Sequence, residues 1–201
     1  MKVAVIDSGI HDGHPHIGRV AGAVQFTADG EGSDPVDHLG HGTAVAAAIR
    51  EKVLAADLFA VKVFDRRLSV SIAAILRALE WCRAEGMDAI NLSLGTPNEE
   101  YRAPLLEAIA DNGIVVSAAF LLPGTLPGVV AVAADESCPR DTFRRQGDVF
   151  LASPYPRPIP GVPPARNLQG VSFAVANMTG FLARALLAFP RERVLAQLRN
   201  V

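Results

Sequence analysis

Residues 2–10 read KVAVIDSGI, an apolar run that ends in an aspartate and a Ser-Gly pair. Apolar and polar residues do not alternate in the run, which is typical of a strand that is covered on both faces of a parallel sheet. Similar runs follow along the chain: LFAVKVF, DAINLSL, GIVVSAAF, VVAVAA and DVFLAS. The repeated pattern predicts a mostly parallel sheet buried between two layers of helices.

Helical segments separate these runs. In residues 69–85 the apolar side chains recur at helical spacing, and Gly86 suits the end of a helix. A second helix is expected near Pro104 and a last one over Arg191–Asn200. We therefore predict a three-layer α/β fold with a mostly parallel central sheet and helices on both faces. Residues 1–201 are expected to form a single domain.

Composition excludes several classes of partner. The 201 residues are 50% hydrophobic and carry a net charge of −2, and the basic residues are scattered, so no nucleic-acid partner is expected. Cys82 and Cys138 lack the spacing of metal ligands and are expected to be free thiols, as in a cytoplasmic protein. Residues 171–189 are about long enough to span a bilayer, but polar residues interrupt them, so no membrane association is expected.

Three polar residues stand at positions where chemistry is common. Asp7 ends the first strand, and ligands bind beyond the carboxyl ends of parallel strands, although such an aspartate often only satisfies turn amides. His41 lies between two glycines in HLGHGTAVAAAI, and glycines permit close backbone approach. Ser172 opens an apolar helical segment, where its hydroxyl is either a helix cap or a nucleophile beside free backbone N–H groups.

The order of these residues favours a catalytic interpretation. A serine nucleophile needs a base to accept its proton and a carboxylate to orient that base. The motifs VIDSGI, HGT and GVSFA, in this order, resemble those of the subtilase family of serine peptidases, and LFAVKVF, ALEWC and PGVVAVAA also match in order. The resemblance implies that Asp7 orients the imidazole, His41 is the general base and acid, and Ser172 is the nucleophile.

The resemblance also implies a substrate cleft with two edges. One edge, in INLSLG, pairs with the substrate backbone and walls the primary specificity pocket; its residues are Ser93, Leu94 and Gly95. The opposite edge consists of Leu68, Ser69 and Val70. A peptide would lie extended between the two edges, with Phe120 beside the primary pocket.

The chain departs from the family at the oxyanion site. Residues 120–122 read FLL where the family has an asparagine whose amide donates to the oxyanion, and Val171 replaces a threonine. Loss of one such donor lowers turnover about 10²–10³-fold, a magnitude known from a member of the same family. We expect slow hydrolysis, or a donor supplied by Asn91, Asn167, a partner or the substrate.

Other departures bear on specificity and cofactors. The short segment between Phe120 and Pro127 predicts a shallow primary pocket that favours small side chains. The family's calcium loop and inhibitory propeptide are not recognisable in the sequence, and HDGHPH at 11–16 has no recognised metal spacing. No metal and no cofactor are therefore expected.

The leading interpretation is a serine endopeptidase that cleaves an extended peptide through an acyl-enzyme, with a specialised cytoplasmic processing role. The expected partner is a peptide or protein substrate, and a homodimer or partner subunit would cover exposed apolar area. Two alternatives stay open. One is a catalytically weak or inactive peptide-binding subunit of a larger complex, and the other is acyl transfer rather than hydrolysis.

Overall fold

The computed structural model describes residues 1–27, 30–163 and 166–200, without the side chains of 199 and 200. Within them, nine strands form one sheet. Their bounds are β1 Lys2–Asp7, β2 Gly22–Thr27, β3 Gly30–Gly32, β4 Asp57–Lys62, β5 Ala89–Leu92, β6 Ile114–Ala118, β7 Val130–Ala134, β8 Phe143–Gln146 and β9 Val149–Ala152. The order across the sheet is β3-β2-β4-β1-β5-β6-β7-β9-β8. Only the β2–β3 and β8–β9 pairs are antiparallel.

Helices cover both faces of the sheet. They are α1 His41–Lys52, α2 Ile72–Ala84, α3 Arg102–Ile109, α4 Val171–Ala188 and α5 Arg191–Asn200. The first, fourth and fifth contribute to the core on one face, and α2 and α3 contribute to the core on the other. The predicted three-layer α/β fold is therefore confirmed.

The first strand shows why its sequence does not alternate. Val3 and Val5 pack into the core beneath α1 and α4, whereas Ala4 and Ile6 pack into the core beneath α2 and α3. All four side chains are fully buried. A central strand between two cores needs an apolar residue at every position, as the sequence has.

The long apolar segment near the C-terminus is the central helix of one core. Of the described helices, α4 alone is long and apolar enough to cross a membrane by length and composition. Its residues 173–183 are buried in the protein. The apolar composition of α4 is thus used in packing against α1 and the sheet.

Several boundaries differ from those predicted. Helix α2 begins at Ile72 because the Ser71 side chain accepts the N–H of Ala74 and caps it. The helix expected near Pro104 begins at Arg102, after a 3₁₀ turn over Glu99–Tyr101. Strands β2, β3 and β8 were not predicted, and all three lie at or beside the two edges of the sheet.

Candidate functional site

The carboxylate of Asp7 and the imidazole of His41 are in direct contact. Asp7 is the last residue of β1, His41 is the first residue of α1, and Nδ1 of His41 lies 2.7 Å from Oδ1 of Asp7. A carboxylate oxygen only accepts hydrogen bonds, so Nδ1 carries the hydrogen. The other ring nitrogen, Nε2, is then an acceptor, as a general base requires.

Two glycines permit this contact. A side chain at Gly42 would bring its Cβ within 2.2 Å of the carbonyl oxygen of Gly9. Gly9 itself has a φ of +104°, and a Cβ there would lie 2.5 Å from the carbonyl oxygen of Pro35. The first turn of α1 can therefore lie directly against the turn that follows Asp7.

The carboxylate of Asp37 organises the start of α1. Its Oδ1 accepts the N–H groups of Leu39 and Gly40 at 3.0 and 2.8 Å, and its Oδ2 accepts the N–H and hydroxyl of Thr43 at 2.8 and 2.7 Å. The Ser8 hydroxyl donates to Oδ1 of Asp37 at 2.8 Å and accepts the N–H of Gly42 at 2.9 Å. Asp37 was not predicted from the sequence, because it stands three residues before the cap position Gly40 rather than at it.

Burial and two carboxylates act on the protonation of His41. Burial alone would lower the pKa of His41. The hydrogen bond and charge of Asp7, together with the charge of Asp37, outweigh burial and raise the pKa above its usual value. The imidazole is therefore a stronger base than a free histidine.

Ser172 stands at the start of α4, on the same side of the sheet as α1. Gly170, with a φ of +151°, precedes the helix. The hydroxyl of Ser172 donates to the carbonyl oxygen of Ser93 at 3.3 Å. Among the described residues no hydrogen bond joins Ser172 to His41. The next side chain, Phe173, packs against the imidazole of His41 with ring centroids 5.5 Å apart. We call Asp7, His41 and Ser172 the candidate triad.

The two predicted edges enclose a cavity of about 450 Å³. It is lined on one side by Leu68, Ser69 and Val70 and on the other by Leu94 and Gly95. Ser93 does not line this cavity but connects the edge to the candidate triad through its carbonyl oxygen. The structure therefore brings both edges together next to Ser172.

The segment after β6 fills the space beside Gly95. A Cβ at Gly95 would lie 2.8 Å from Cβ of Leu121, so Leu121 packs directly over this glycine. Leu122 is only 2% exposed and forms an antiparallel bridge with Thr96, through hydrogen bonds of 2.9 and 3.0 Å. This arrangement leaves little room for a large side chain in front of Gly95.

Phe120 is not part of the cavity between the edges. Its backbone has a φ of +68° and its side chain is 77% exposed. It lines a separate cavity that α5 also lines. The next residue, Leu121, packs against Gly95 instead.

Neither asparagine suggested for the oxyanion is free. Asn91 is fully buried in β5, where its amide donates to Oγ of Ser93 at 2.6 Å and its carbonyl accepts from Thr179 at 3.1 Å. Asn167 donates to the carbonyl oxygen of Arg157 at 3.4 Å. The N–H of Ser172, in the first turn of α4, has no acceptor among the described residues.

A model of the subtilase family matches residues 1–138. The chain belongs to the subtilase family. Similar proteins include the thermostable alkaline protease of Halalkalibacterium halodurans, 32% identical over 213 residues that cover 94% of this chain and 57% of that protein. Subtilisin E of Bacillus subtilis (strain 168) is 32% identical over 205 residues, 89% of this chain and 51% of the relative. Subtilisin Savinase of Lederbergia lenta is 33% identical over 212 residues, 91% of this chain and 75% of the relative.

This subtilase spans about half to three quarters of the length of these relatives. The family-model match contains Asp7 and His41 and ends before Ser172. The structural link between Ser172 and His41 is therefore indirect: Phe173, the residue after Ser172, packs against the ring of His41, and the Ser172 hydroxyl contacts Ser93.

Proposed function

We propose that this subtilase is a serine endopeptidase that cleaves extended peptides through an acyl-enzyme, with Asp7, His41 and Ser172 as its catalytic triad. The observation that carries the proposal is the 2.7 Å contact between Asp7 and His41, next to a serine whose backbone N–H is free at a helix N-terminus. A buried carboxylate and an imidazole held in one tautomer are what a serine nucleophile requires.

The reaction needs a small rearrangement of Ser172. Its hydroxyl leaves the carbonyl of Ser93 by rotation about the Cα–Cβ bond and donates to Nε2 of His41. Oγ then forms a bond to the scissile carbonyl carbon while His41 takes the proton, and His41 passes that proton to the departing amine as the C–N bond breaks. Water attacks the acyl-enzyme in the second half, giving its proton to His41, which returns it to Ser172.

Stabilisation of the oxyanion is the weak part of this site. The N–H of Ser172 and the dipole of α4 supply positive potential where the oxyanion forms. Neither Asn91 nor Asn167 has a side-chain amide free to add to them. We therefore infer slow turnover, by about 10²–10³-fold relative to a site with the amide.

The cleft favours a particular substrate. Leu121 packs over Gly95, so a small residue such as alanine or glycine fits immediately before the scissile bond. The cavity of about 450 Å³ between the two edges has apolar walls that include Leu68, Leu94 and Leu122, and it accommodates an apolar side chain further upstream.

Hydrolysis of matched peptides tests the proposal. A peptide with alanine before the scissile bond is expected to be cut at least tenfold faster than the same peptide with phenylalanine at that position. Mass spectrometry identifies the products. The Ser172→Ala variant, with the same fold by circular dichroism, is expected to cut neither. Equal cleavage by Ser172→Ala would exclude Ser172 as the nucleophile.

A second candidate function is peptide binding without cleavage, as a catalytically weak or inactive subunit of a larger complex. The observation that favours it is the hydrogen bond that holds the Ser172 hydroxyl on Ser93 rather than on His41. This candidate predicts that the wild-type protein and Ser172→Ala bind the alanine peptide equally and that neither cuts it. The cytoplasmic processing role remains a proposal; both cysteines are free and buried, as a reducing compartment allows.

A further inference from the structure

The histidines of HDGHPH line a second cavity, of about 520 Å³. Its polar lining includes His11, His14, His16, Arg157 and Asn167. We call it the His-rich pocket. Gly40, which directly precedes His41, and Leu168, shortly before Ser172, also line it, so it opens next to both reacting residues.

The His-rich pocket and the substrate cleft lie on opposite sides of the triad. The cleft cavity is lined by residues of α2 and α3, which cover one face of the sheet. The His-rich pocket is lined by Thr43, Ala44 and Ala47 of α1, which covers the other face. When the acyl half of a peptide occupies the cleft, its leaving-group half continues past Ser172 towards the His-rich pocket.

The His-rich pocket is lined by one arginine and one carboxylate, and only the carboxylate is fully occupied by hydrogen bonds. Arg157 donates to the carbonyl oxygen of His16 at 3.3 Å and has no carboxylate partner among the described residues. The carboxylate that lines the pocket is Asp37, and both of its oxygens already accept hydrogen bonds from Ser8 and the start of α1. Arg157 is therefore available to an incoming anion.

His14 adds a hydrogen-bond donor to the lining of the pocket. Nδ1 of His14 accepts the backbone N–H of His16 at 3.1 Å, so Nε2 of His14 carries a hydrogen. Burial and the charge of Arg157 lower the pKa of His16, so at neutral pH the permanent charge comes from Arg157. Ile159 and Leu168 supply apolar walls for the methylene groups of a side chain.

We propose that the His-rich pocket binds a carboxylate group carried by the leaving-group half of the substrate, within the first few residues after the scissile bond, and that Arg157 is its main ligand. This proposal rests on the proposed function, because the proposed peptidase reaction sets the direction in which the peptide lies across Ser172. The carboxylate comes either from an Asp or Glu side chain or from the free C-terminus of a short peptide. An arginine fork suits both sources.

Binding to Ser172→Ala separates this pocket from catalysis. The probes are fluorescent peptides with alanine before the scissile bond and one of four leaving-group halves: tri-alanine amide, tri-alanine free acid, or the amide with one Asp or one Lys. Fluorescence anisotropy is expected to show about tenfold tighter binding of one or both carboxylate peptides than of the alanine amide, and weaker binding of the Lys peptide.

Matched substitutions assign the effect to the His-rich pocket. In the Ser172→Ala background, Arg157→Gln is expected to abolish the tenfold preference, and Arg157→Lys to retain part of it. Arg19→Gln removes the same charge from an exposed side chain that lines a neighbouring cavity only, and is expected to leave the preference unchanged. A preference that is absent, or that survives Arg157→Gln, would overturn the inference.

The two proposals fail in different ways. If the wild-type protein cuts the alanine peptides but neither cleavage nor binding depends on a carboxylate, the proposed function stands and the His-rich pocket is not an anion site. If the Asp peptide binds Ser172→Ala in an Arg157-dependent manner but the wild-type protein cuts nothing, the pocket stands and the peptidase function fails. A preference for the free acid alone identifies the peptide C-terminus as the source of the carboxylate.

Discussion

Asp37 acts on His41 through its charge and through the backbone at the start of α1. It fixes the backbone of Leu39, Gly40 and Thr43, and its charge acts together with that of Asp7 on the imidazole. We therefore regard it as a positioning residue. Because it binds α1 and Ser8 at once, it holds the helix that carries His41 against the turn that follows Asp7.

The variant Asp37→Asn tests this role. It removes one of the two carboxylate charges that raise the pKa of His41, so His41 is expected to lose its proton at lower pH and the acid limb of kcat/KM to move to lower pH. Loss of acceptors for the N–H groups is also expected to lower kcat by on the order of tenfold. The measurement is the pH profile of peptide hydrolysis.

The control for this experiment is Asp12→Asn. Asp12 accepts the N–H of Val20 and lies 3.9 Å from Arg19 at the surface, away from His41. The acid limb of the kcat/KM profile of Asp12→Asn is expected to match that of the wild type. An unshifted limb in Asp37→Asn, with the fold intact, would restrict Asp37 to a purely structural role.

Leu121 and Leu122 give opposite expectations for the same substitution. Leu121 borders the cleft at Gly95, so Leu121→Asn places an amide near the oxyanion and is expected to raise kcat about tenfold or more. Leu122 is 2% exposed in the core, so Leu122→Asn is expected to lower the free energy of unfolding by about 2–4 kcal/mol. Measurements of turnover and of urea unfolding on both variants test the two expectations. Lower turnover in a stable Leu121→Asn variant would place the oxyanion elsewhere.

Sequence reasoning proposed the three residues of the candidate triad but not their supports. The order of the motifs around Asp7, His41 and Ser172, which resembles that of the subtilase family, predicts these three residues, whereas the position of each one alone does not. The network around Asp37 depends on hydrogen bonds formed only after folding, and the register of Leu121 and Leu122 depends on the turn at Phe120. Such details have no periodic signal in a sequence.

At the scale of elements, a buried lysine links α1 to α4. Nζ of Lys52 lies 2.5 Å from Oδ1 of Asn177 and 3.5 Å from Oε2 of Glu51, and its side chain is 5% exposed. Asn177 in turn donates to the carbonyl oxygens of Ser153 and Tyr155, so this pair also ties the segment after β9 to the helices. Burial, followed by the charge of Arg140, lowers the pKa of Lys52 to about 8.

This pKa predicts a pH dependence of stability. Between about 8 and the usual value of 10.5, the unfolded chain holds the Lys52 proton more tightly than the folded protein does. The free energy of unfolding of the wild type is therefore expected to rise with pH across this window, by about 2 kcal/mol relative to Lys52→Met. Urea unfolding of both proteins from pH 7 to 10.5 measures the difference. Parallel curves would show that Lys52 keeps its ordinary pKa.

The turn between β6 and β7 contains a strained residue. Phe120 has a φ of +68°, a conformation that suits glycine, and its side chain is 77% exposed, so little packing is lost by removing it. Phe120→Gly is expected to raise the free energy of unfolding by about 1 kcal/mol in urea denaturation. Phe120→Ala keeps the strain and serves as the control. A destabilised Phe120→Gly would show that the exposed ring packs more tightly than its exposure indicates.

The sheet edges explain which elements the sequence could not predict. The predicted strands have continuous apolar runs because two cores enclose them. The edge strand β3 has the sequence GEG and is exposed throughout, and β8, FRRQ, alternates between half-buried and exposed residues. Such strands form because a neighbour offers hydrogen bonds, and their own sequences carry little apolar signal.

At the scale of the whole molecule, the sheet brings the chemistry together. The carboxyl ends of β1 and β5 supply Asp7 and the chain to Ser93, while α1 and α4 on one face present His41 and Ser172 at the same edge. The substrate cleft opens towards the face of α2 and α3, and the His-rich pocket opens beside α1. The candidate triad thus lies at the end of the sheet between these two cavities.

Covalent labelling of the folded protein with a small fluorophosphonate, read by mass spectrometry, tests directly whether Ser172 is activated by His41. We expect a single adduct, located on Ser172, that forms in the wild type and is lost or strongly slowed in His41→Ala. An absent adduct on Ser172, or labelling of His41→Ala at the wild-type rate, would contradict the catalytic assignment.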